Sequence, residues 1–358
     1  MRIEAIAFTG RGLALARSLA DSLRLDGCTV TVSGPPHLAA DAGVMPYKDV
    51  SSWAAHAFAK ADALLFVGAC GIAVRCIAPH VRDKFSDPAV VCVDEAGNFA
   101  IALLSGHVGG ANSLAWRVAA ACGGQPVVTT ATDVNGVFAV DEWACSQQLA
   151  LLDRDEAKRV SAELLAGAPV GFFSDLPIAG NPPSGLICDD RAGDCAVGVA
   201  VSVDGSLRPF PHTLRLAPRI VTVGVGCKRG TAADAISALV DACLDEAHLL
   251  PQTVYTLATI DVKADEPSLR QLAKDRGWKL RFHSAEELAS VPDERAGAAG
   301  FSSSDFVRKV VGVDNVCERA ACACGETLVL SRRAREGVTV ALARREIQLS
   351  FPPVGKEL

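Results

Sequence analysis

The 358-residue sequence has no excess of positive charge and no long uninterrupted apolar segment. Its formal net charge is −6 and its pI is about 5.7, so no overall basic field draws the protein to nucleic acid or to an anionic membrane. The longest uncharged span, residues 96–116, is interrupted by glycine, asparagine and serine, which a membrane-spanning helix disfavours. The sequence therefore predicts neither a nucleic-acid-binding protein nor a membrane protein.

Motifs for resident metals and nucleotides are missing as well. None of the seven histidines lies three or four residues from another, and no CxxC pair occurs. Cys317, Cys322 and Cys324 are close in sequence, which we interpret as core thiols, with an iron–sulfur site as the remote alternative. The phosphate-loop pattern GxxxxGK[ST] is absent, and Gly224-Val225-Gly226 lacks the third glycine of a dinucleotide loop. We therefore predict no metal held by the protein and no bound cofactor.

Cysteine usage indicates the cellular compartment. Thirteen cysteines form an odd count well below the density of a disulfide scaffold, and most lie in apolar segments. Free buried thiols in a reducing environment fit this pattern. The first residues, Met1 to Phe8, lead directly into a strand pattern, unlike a secretory signal. We expect a cytoplasmic protein.

Hydrophobic residues make up 50% of the sequence and charged residues 21%, which favours a globular protein with much buried sheet. Strand and helix patterns alternate from Ile3 onward, which predicts an N-terminal α/β domain over residues 1–137 with a parallel sheet and right-handed crossovers. Within it, residues 90–94 and 99–103 read as a strand pair that turns at Ala96-Gly97-Asn98.

The remaining sequence divides into three further parts. Residues 138–216 have short strands bounded by proline and glycine, and we predict a small α+β middle module without a catalytic cluster. Residues 217–345 predict a C-terminal α/β domain, with helices starting near 303 and 314 and with Thr231 as a helix N-cap. Residues 346–358 are predicted to be a tail.

Three polar loops follow apolar runs in the first domain, at residues 94–97, 105–112 and 129–133. Because α/β proteins place their chemistry at the carboxyl ends of strands, we predict an active site there. The glycine-rich loop opens a helix, so amides such as those of Gly109 and Gly110 would face an anion or oxyanion. His107 is the predicted acid or base. The alternative is that His107 bonds the turn and the glycines only allow close packing.

Other residues are candidates with open alternatives. At most one of Asp94 and Glu95 is catalytic, because adjacent residues on an extended chain point apart, and a solvated hairpin turn explains them equally well. Arg75, Arg82 and Lys84 are cations that would hold carboxylates or simply face solvent. Asn112, Thr130 and Asp133 complete the predicted substrate-binding set of this domain.

A second cationic region lies in the C-terminal domain. Lys228 and Arg229 precede a helix start, where the helix dipole adds to their attraction for an anion, and Thr231 follows them. Lys263 precedes Asp265, Glu266 and Pro267. Helix capping explains the acids but not the lysine, so Lys263 is also predicted to contact a ligand.

Residues 71–133, together with residues 223–231, 258–267, 304–307 and 312–321, closely resemble the cobalt-precorrin-5A hydrolases (CbiG) of anaerobic cobalamin biosynthesis. The resemblance covers nearly the whole chain and is weak only in the middle. It implies a three-part layout and an anionic cobalt-tetrapyrrole substrate that brings its own cobalt. It also implies a reaction in which a δ-lactone is opened and the methylated meso carbon leaves as acetaldehyde.

With that substrate, His107, Asp94 or Glu95 would activate water while the amides of Gly109 and Gly110 stabilise the oxyanion. Arg75, Lys84, Lys228, Arg229 and Lys263 would hold the acetate and propionate groups of the macrocycle, in a cleft between two α/β domains. Neighbouring enzymes of the pathway are expected partners. The oligomeric state stays open, with a homodimer as one option.

Two other functions remain open. The chain would be a non-catalytic carrier of corrin intermediates if it bound the substrate without releasing acetaldehyde. Proteins that resemble only its last domain occur in the aerobic pathway, where this lactone-opening step is not required. A nucleotide-dependent α/β enzyme ranks last, because the loop signatures lack the required spacing.

Overall fold

The computed structural model of the protein describes residues 1–39, 43–83, 86–302, 315–324 and 326–351. Its contacts divide the chain into two compact units, Met1–Glu142 and Trp143–Leu358. The sequence-based division at residue 216 falls inside the second unit, and the three-domain layout stays a prediction. Among the described residues, no helix has the length and apolar character that crossing a membrane requires.

The first unit is an α/β domain whose strands and helices alternate as predicted. Its strands are β1 (Arg2–Ala7), β2 (Thr29–Gly34), β3 (Val44–Pro46), β4 (Ala63–Val67), β5 (Ala89–Val93), β6 (Phe99–Leu104) and β7 (Gln125–Val127). Its helices are α1 (Gly10–Leu25), α2 (Val50–Lys60), α3 (Cys70–Ile77), α4 (Ala111–Cys122) and α5 (Ala131–Val134), and α6 (Val140–Ser146) begins in it. The sequence analysis did not anticipate β3 or α3.

Burial explains why these segments form one sheet. Every residue of β4 and β5 is buried, as expected for central parallel strands covered on both faces. Helix α1 starts at its N-cap Thr9, whose hydroxyl accepts a hydrogen bond from the Gly12 N–H. Its buried leucines, at positions 13, 19 and 23, pack on this sheet, and each contributes about 1.5–3 kcal/mol by leaving water.

The direction of the last two strands determines where the functional loops lie. The sheet order is β3-β2-β1-β4-β5-β6-β7, and β1 to β5 run parallel. Strand β6 is antiparallel to β5, as the predicted hairpin requires, and β7 is parallel to β6. The last two strands therefore end at the edge of the sheet opposite to the carboxyl ends of the first five.

The second unit contains two five-stranded sheets and one strand pair. Its strands are β8 (Leu149–Leu151), β9 (Val170–Ser174), β10 (Ile178–Ala179), β11 (Leu186–Ile187), β12 (Val197–Val201), β13 (His212–Pro218), β14 (Val221–Cys227), β15 (Val254–Ile260), β16 (Lys279–His283), β17 (Thr327–Arg335), β18 (Val338–Arg344) and β19 (Leu349–Ser350). Its helices are α7 (Arg154–Leu165), α8 (Ala233–Glu246), α9 (Pro267–Arg276), α10 (Ala285–Ala289) and α11 (Val316–Cys322).

The first of these sheets corrects the description of residues 138–216. Its order is β11-β9-β12-β13-β8, and all neighbours except β13 and β8 are parallel. The region is therefore a mostly parallel α/β sheet and not an irregular α+β module. Its glycines permit close packing, since a Cβ on Gly198 would lie 2.2 Å from the Phe210 ring. Their spacing in the sequence does not distinguish such glycines from turn glycines.

The second sheet has the order β16-β15-β14-β18-β17, in which β14, β15 and β16 are parallel and the other two strands antiparallel. Helix α11 starts after Asn315, whose side chain caps it, and the helix predicted from residue 303 lies outside the described residues. The N-cap prediction for Thr231 is wrong, because Ala232 is the N-cap and the Thr231 hydroxyl donates to the Lys228 carbonyl.

The predicted tail at residues 346–358 is also wrong in part. Leu349 and Ser350 form β19, which pairs with β10. Phe351 is buried and packs against the rings of Trp143 and Phe172. This segment closes an aromatic cluster of the second unit.

Candidate active site

The loops that follow β6 and β7 meet at one edge of the first sheet. The two strands are parallel, with Phe99 opposite Gln125 and Ile101 opposite Val127. Parallel neighbours end at the same edge, so the glycine-rich loop and the Thr129–Asp133 loop lie side by side. The structure therefore brings together the second and third of the predicted loops.

The glycine-rich loop folds tightly on itself before α4. Gly110, the N-cap of α4, has φ +84°, and its N–H donates to the His107 carbonyl at 2.9 Å. A Cβ on Gly106 would lie 2.6 Å from the Asn112 carboxamide oxygen, and one on Gly109 would lie 2.4 Å from Cβ of Ser105. Only glycine permits this fold, which holds the His107 side chain in a fixed place.

His107 lies between two carboxylates. Its Nε2 is 2.7 Å from Asp133 Oδ2, and its Nδ1 is 3.3 Å from Asp141 Oδ1. The side chains of His107, Asp133 and Asp141 are only 14%, 15% and 12% exposed. Both ring nitrogens therefore have a charged acceptor in a largely water-excluded position, where such hydrogen bonds are strong.

Asp133 is the centre of the hydrogen-bond network. Its Oδ2 accepts from the Asn112 carboxamide at 3.1 Å and from the Thr130 hydroxyl, and Asn112 also donates to Thr130 at 2.9 Å. Thr132 Oγ1 lies 3.0 Å from His107 Nε2. Three residues predicted to bind substrate, Asn112, Thr130 and Asp133, therefore position the imidazole in this structure.

The surrounding carboxylates determine the charge of His107. Hydrogen bonding to Asp141 and then to Asp133 raises the pKa of His107 to about 9, although burial opposes the shift. The ring is then an imidazolium at neutral pH, with no lone pair to accept a proton. Burial raises the pKa of Glu142 as well, and the negative charges of Asp133 and Asp141 add to that increase. The site thus pairs a proton donor with several carboxylate acceptors.

A cavity of about 280 Å³ opens beside this network. His107, Asp141 and Ser105 line it, together with Asn112 and Thr130. Apolar side chains of β6, including Leu103 and Leu104, form the rest of the wall. The cavity is at the lower limit of the size of small-molecule sites, so it accepts one reacting edge of a large molecule and not all of it.

The same cluster offers donor atoms for a cation. One ligand atom each of His107, Asp133 and Glu142 lies within 4.8 Å of the others. In this arrangement, however, each imidazole nitrogen already faces a carboxylate at hydrogen-bonding distance. That geometry favours sharing of protons over metal coordination, in which the nitrogen lone pair must face the ion. The absence of a protein-held metal stays a prediction.

Asp94 and Glu95 do not lie in this site. Val93 pairs with Ala100 and Val90 with Leu104, so the hairpin turn and the His107 loop lie at opposite ends of β6, roughly 13 Å apart along the strand. The Asp94 carboxylate accepts from the backbone amides of Ala96 and Phe99, and it thereby closes the hairpin turn. Glu95 accepts from the Thr9 hydroxyl at 2.6 Å. Neither acid therefore reaches the His107 site, where one of them was predicted as an alternative base.

Two predicted donors of the first unit have other roles or are not described. Arg75 lies on the exposed face of α3 and donates to the Gly71 carbonyl, while Lys84 lies outside the described residues. The Gly110 amide, predicted to face an oxyanion, is occupied by the His107 carbonyl. Within the described residues no hydrogen bond from the Gly109 amide is found. Gly109 is thus the remaining amide donor of the predicted pair.

The predicted cations of the second unit gather at the carboxyl edge of β14 and β15. Lys228 and Arg229 follow β14 and are exposed, and Lys263 follows β15. The buried Glu266 joins the two loops, because its carboxylate accepts from the Gly230 amide at 3.1 Å. Burial raises the pKa of Cys227 and Lys263 opposes that shift, which indicates that the lysine lies near the end of β14. Because the Gly230 amide already donates to Glu266, the positive groups exposed at this edge are the side chains of Lys228 and Arg229.

Sequence reasoning missed Ser105, Thr132, Asp141 and Glu142. The last two begin α6, in the segment where the sequence pattern is weak, and only tertiary contact brings them to His107. An acidic pair at a helix start usually signals helix-dipole stabilisation alone. The positions 107, 133 and 141 follow no local period, so spacing could not identify the site.

These features define a class, an α/β protein with a half-closed acid–base site at one edge of its sheet. The family model described as Cobalamin synthesis G N-terminal matches residues 52–133, and that described as Cobalamin synthesis G C-terminus matches residues 221–343. The chain belongs to the cobalamin synthesis G (CbiG) family, which confirms the resemblance found in the sequence.

Two relatives support this assignment by sequence, one of them over almost the full length. A cobalt-precorrin-5A hydrolase from Salmonella typhimurium is 35% identical over 355 residues, covering 95% of this chain and 97% of that protein. The cobalt-precorrin-5A hydrolase of Priestia megaterium is 29% identical over 80% of this chain and 79% of its own. The crystal structure of a cobalamin biosynthesis protein G homologue from Sulfolobus solfataricus covers 96% of this chain and 97% of its own at 19% identity, with a TM-score of 0.43.

Proposed function

We propose that this protein is a cobalt-precorrin-5A hydrolase, which opens the δ-lactone of its tetrapyrrole substrate and releases acetaldehyde. The observation that carries the proposal is the 35% identity to the Salmonella typhimurium cobalt-precorrin-5A hydrolase across 95% of the chain. The His107 site supports it independently, because opening a lactone needs a proton acceptor for the nucleophile and a proton donor for the departing oxygen.

The site residues divide these two tasks. Asp141 lines the cavity as a carboxylate and accepts the proton of the attacking nucleophile. His107, held as an imidazolium by its hydrogen bonds to Asp141 and Asp133, donates a proton to the alkoxide that leaves the lactone carbonyl carbon. Of the two roles predicted for His107, acid or base, the proposal thus assigns it that of the acid. The Gly109 amide is the proposed donor to the oxyanion.

Acetaldehyde leaves in a second step. Deprotonation of the freed hydroxyl group forms the aldehyde carbonyl, the carbon–carbon bond to the macrocycle breaks, and the macrocycle accepts the electron pair. The Asp141 carboxylate is the base available in the cavity for this deprotonation as well. The cobalt arrives with the substrate, so we propose no further cofactor.

Binding of the remaining macrocycle relies on charge. The exposed Lys228 and Arg229 and the nearby Lys263 are proposed to hold carboxylate side chains of the substrate. Exposed ion pairs contribute about 0–1 kcal/mol each, so several weak contacts act together. The thirteen cysteines, all free, support a proposed cytoplasmic location in a reducing environment.

The test is anaerobic incubation of the purified protein with cobalt-precorrin-5A. We expect stoichiometric acetaldehyde, trapped as a hydrazone, together with a change in the absorption spectrum of the corrinoid. Heat-inactivated protein is the control. A spectral change on binding without any aldehyde would contradict the proposal and favour a carrier of corrin intermediates.

A further inference from the structure

Ser105 has a backbone conformation that no local turn explains. Its φ is +57°, in the left-handed region that costs an L-residue about 1–2 kcal/mol. Three other non-glycine residues share this feature among the described residues. Gln148 and His248 follow the ends of α6 and α8, and Glu336 forms the two-residue turn between β17 and β18, where left-handed residues are usual. Ser105 instead follows a strand, at the start of the His107 loop.

The Ser105 side chain is also unsatisfied. The residue is 8% exposed, and its buried Oγ has no hydrogen-bond partner. Its carbonyl, in contrast, accepts from the Ala111 N–H at 3.1 Å. An unpaired buried hydroxyl costs about 1–3 kcal/mol, so at this position the protein carries a strained backbone and an unbonded polar group together. Such outliers concentrate at functional sites.

The position of Ser105 relates these outliers to the reaction. Ser105 lines the same cavity as His107 and Asp141. Gly109 is in contact with it, since a Cβ there would lie 2.4 Å from Ser105 Cβ, so the proposed oxyanion donor and the serine are next to each other. A nucleophile, a proton acceptor and a proton donor thus line one small space, and the Gly109 backbone lies directly beside the nucleophile.

We infer that Ser105 is the nucleophile that opens the lactone, through an ester between its Oγ and the substrate acyl group. This inference rests on the proposed function. A bond forms between Oγ and the lactone carbonyl carbon, and the bond from that carbon to the ring oxygen breaks. The Oγ proton passes to Asp141, and the released alkoxide takes a proton from His107. Proton transfer from Asp141 to His107 then restores both groups.

Water completes the cycle with the same groups. Asp141 accepts a proton from water as it attacks the ester carbon, the bond to Oγ breaks, and His107 returns a proton to Oγ. The products are the free carboxylic acid, which loses its proton to solvent, and the unchanged serine. Proton transfer from Asp141 to His107 again restores both groups, so the two half-reactions together add one water molecule. No oxidant, reductant or second substrate is needed.

Variants at position 105 separate chemistry from strain. Ser105→Ala removes the hydroxyl and keeps the backbone strain, whereas Ser105→Gly removes both, because glycine adopts positive φ freely. We expect each to slow acetaldehyde release at least about a hundredfold, while Ser105→Gly melts at or above the wild-type temperature. Ser33→Ala is the matched control, since Ser33 is a buried serine of the same unit whose hydroxyl accepts from Trp53.

The ester itself is measurable. The wild-type reaction is quenched in acid within the first turnover and the protein is digested. The peptide containing Ser105 should then have its mass increased by that of the bound corrinoid. The Ser105→Ala variant should yield no such peptide. Two results would overturn the inference and leave the proposed function intact. One is a Ser105→Gly variant that turns over as fast as the wild type, and the other is wild-type protein that turns over without any adduct in the quenched samples. Wild-type protein that releases no acetaldehyde would instead refute the proposed function.

Discussion

The two units contain polar edges of opposite construction. In the first unit, His107 is fixed between Asp133 and Asp141, and all three side chains are at most 15% exposed. In the second unit, Lys228 and Arg229 are exposed, and the buried Glu266 occupies the neighbouring Gly230 amide. At the first edge, buried side chains hold their protons in fixed positions away from water. At the second edge, exposed side chains present positive charge to the solvent.

This difference has consequences for catalysis. A buried and interlocked group controls proton transfer because its protonation state and geometry are fixed in advance. Exposed lysine and arginine attract an anionic ligand but are screened by salt and weak one by one. We therefore expect substitutions at the first edge to reduce kcat and those at the second to raise KM, in the order of effects given below.

The largest effect is expected for His107→Ala. Loss of the proton donor should reduce acetaldehyde release by about 10²–10⁴-fold, the usual range for acid–base catalysis. His212→Ala is the control, because His212 also faces a carboxylate, Glu156 at 3.6 Å, but on the surface. Turnover of His107→Ala within threefold of wild type would remove the imidazole from the mechanism.

Asp141 and Asp94 form the second test, since the structure places them at opposite ends of β6. Asp141→Asn should lower kcat by about a hundredfold. Asp94→Asn should keep kcat and lower the free energy of unfolding by about 1–2 kcal/mol, because its carboxylate accepts two backbone amides. Urea unfolding of both variants measures the free energy of unfolding, and steady-state assays measure kcat. Equal losses of kcat would contradict the separation of the two loops.

The third test is the pH dependence of stability. The pKa of His107 is about 9 in the folded protein against 6.5 for a free imidazole, so its ion pairs stabilise fully below pH 6.5 and are lost as the pH rises through 9. The wild-type free energy of unfolding should fall over this interval by up to about 3 kcal/mol more than that of His107→Gln. Parallel curves for the two proteins would show that the imidazole is neutral.

A smaller effect is expected at the cationic edge. Lys228→Ala, Arg229→Ala and Lys263→Ala should each raise KM by about two- to fivefold and leave kcat unchanged, which corresponds to 0–1 kcal/mol per contact. Added salt should reduce the difference between variant and wild type. Lys158→Ala is a control from the same unit, since its side chain is 67% exposed. A fall in kcat would mean that this edge takes part in chemistry.

The smallest effect is expected from metal removal. Dialysis against a chelator should leave turnover of cobalt-precorrin-5A unchanged, and elemental analysis of the purified protein should show no stoichiometric metal. Loss of activity that zinc or cobalt restores would instead assign the His107, Asp133 and Glu142 cluster to a cation.

Much of the fold follows from local patterns in the sequence. Helix Ala111–Cys122 and strand Ala63–Val67 form where the apolar period and the turn residues agree. The hairpin at Ala96–Asn98 was also correct. The sequence-based interpretation did not take into account that the hairpin reverses the chain. The loop after β6 therefore lies at the opposite edge of the sheet from the turn after β5. Asp94 and Glu95 were grouped with His107 for this reason.

The chemical state of the site was less accessible from the sequence. His107 was a reasonable candidate, but its charge depends on Asp141, which lies 34 positions further on in a weakly patterned segment. Asp133 is predicted to contact substrate, and in this structure its carboxylate binds the imidazole. Tertiary proximity decides both roles, and no spacing rule encodes it.

The strand pair β10–β19 bears on how the chain is made. The Trp143 indole N–H donates to the Ser350 carbonyl across 207 positions of sequence, so the aromatic cluster stays open during synthesis until residues 349–351 have left the ribosome. At 5–20 residues per second this delay lasts roughly 10 to 40 s. A nonsense codon just after residue 345 would thus give a product with bare Trp143 and Phe172 rings, which chaperones and proteases recognise as incomplete.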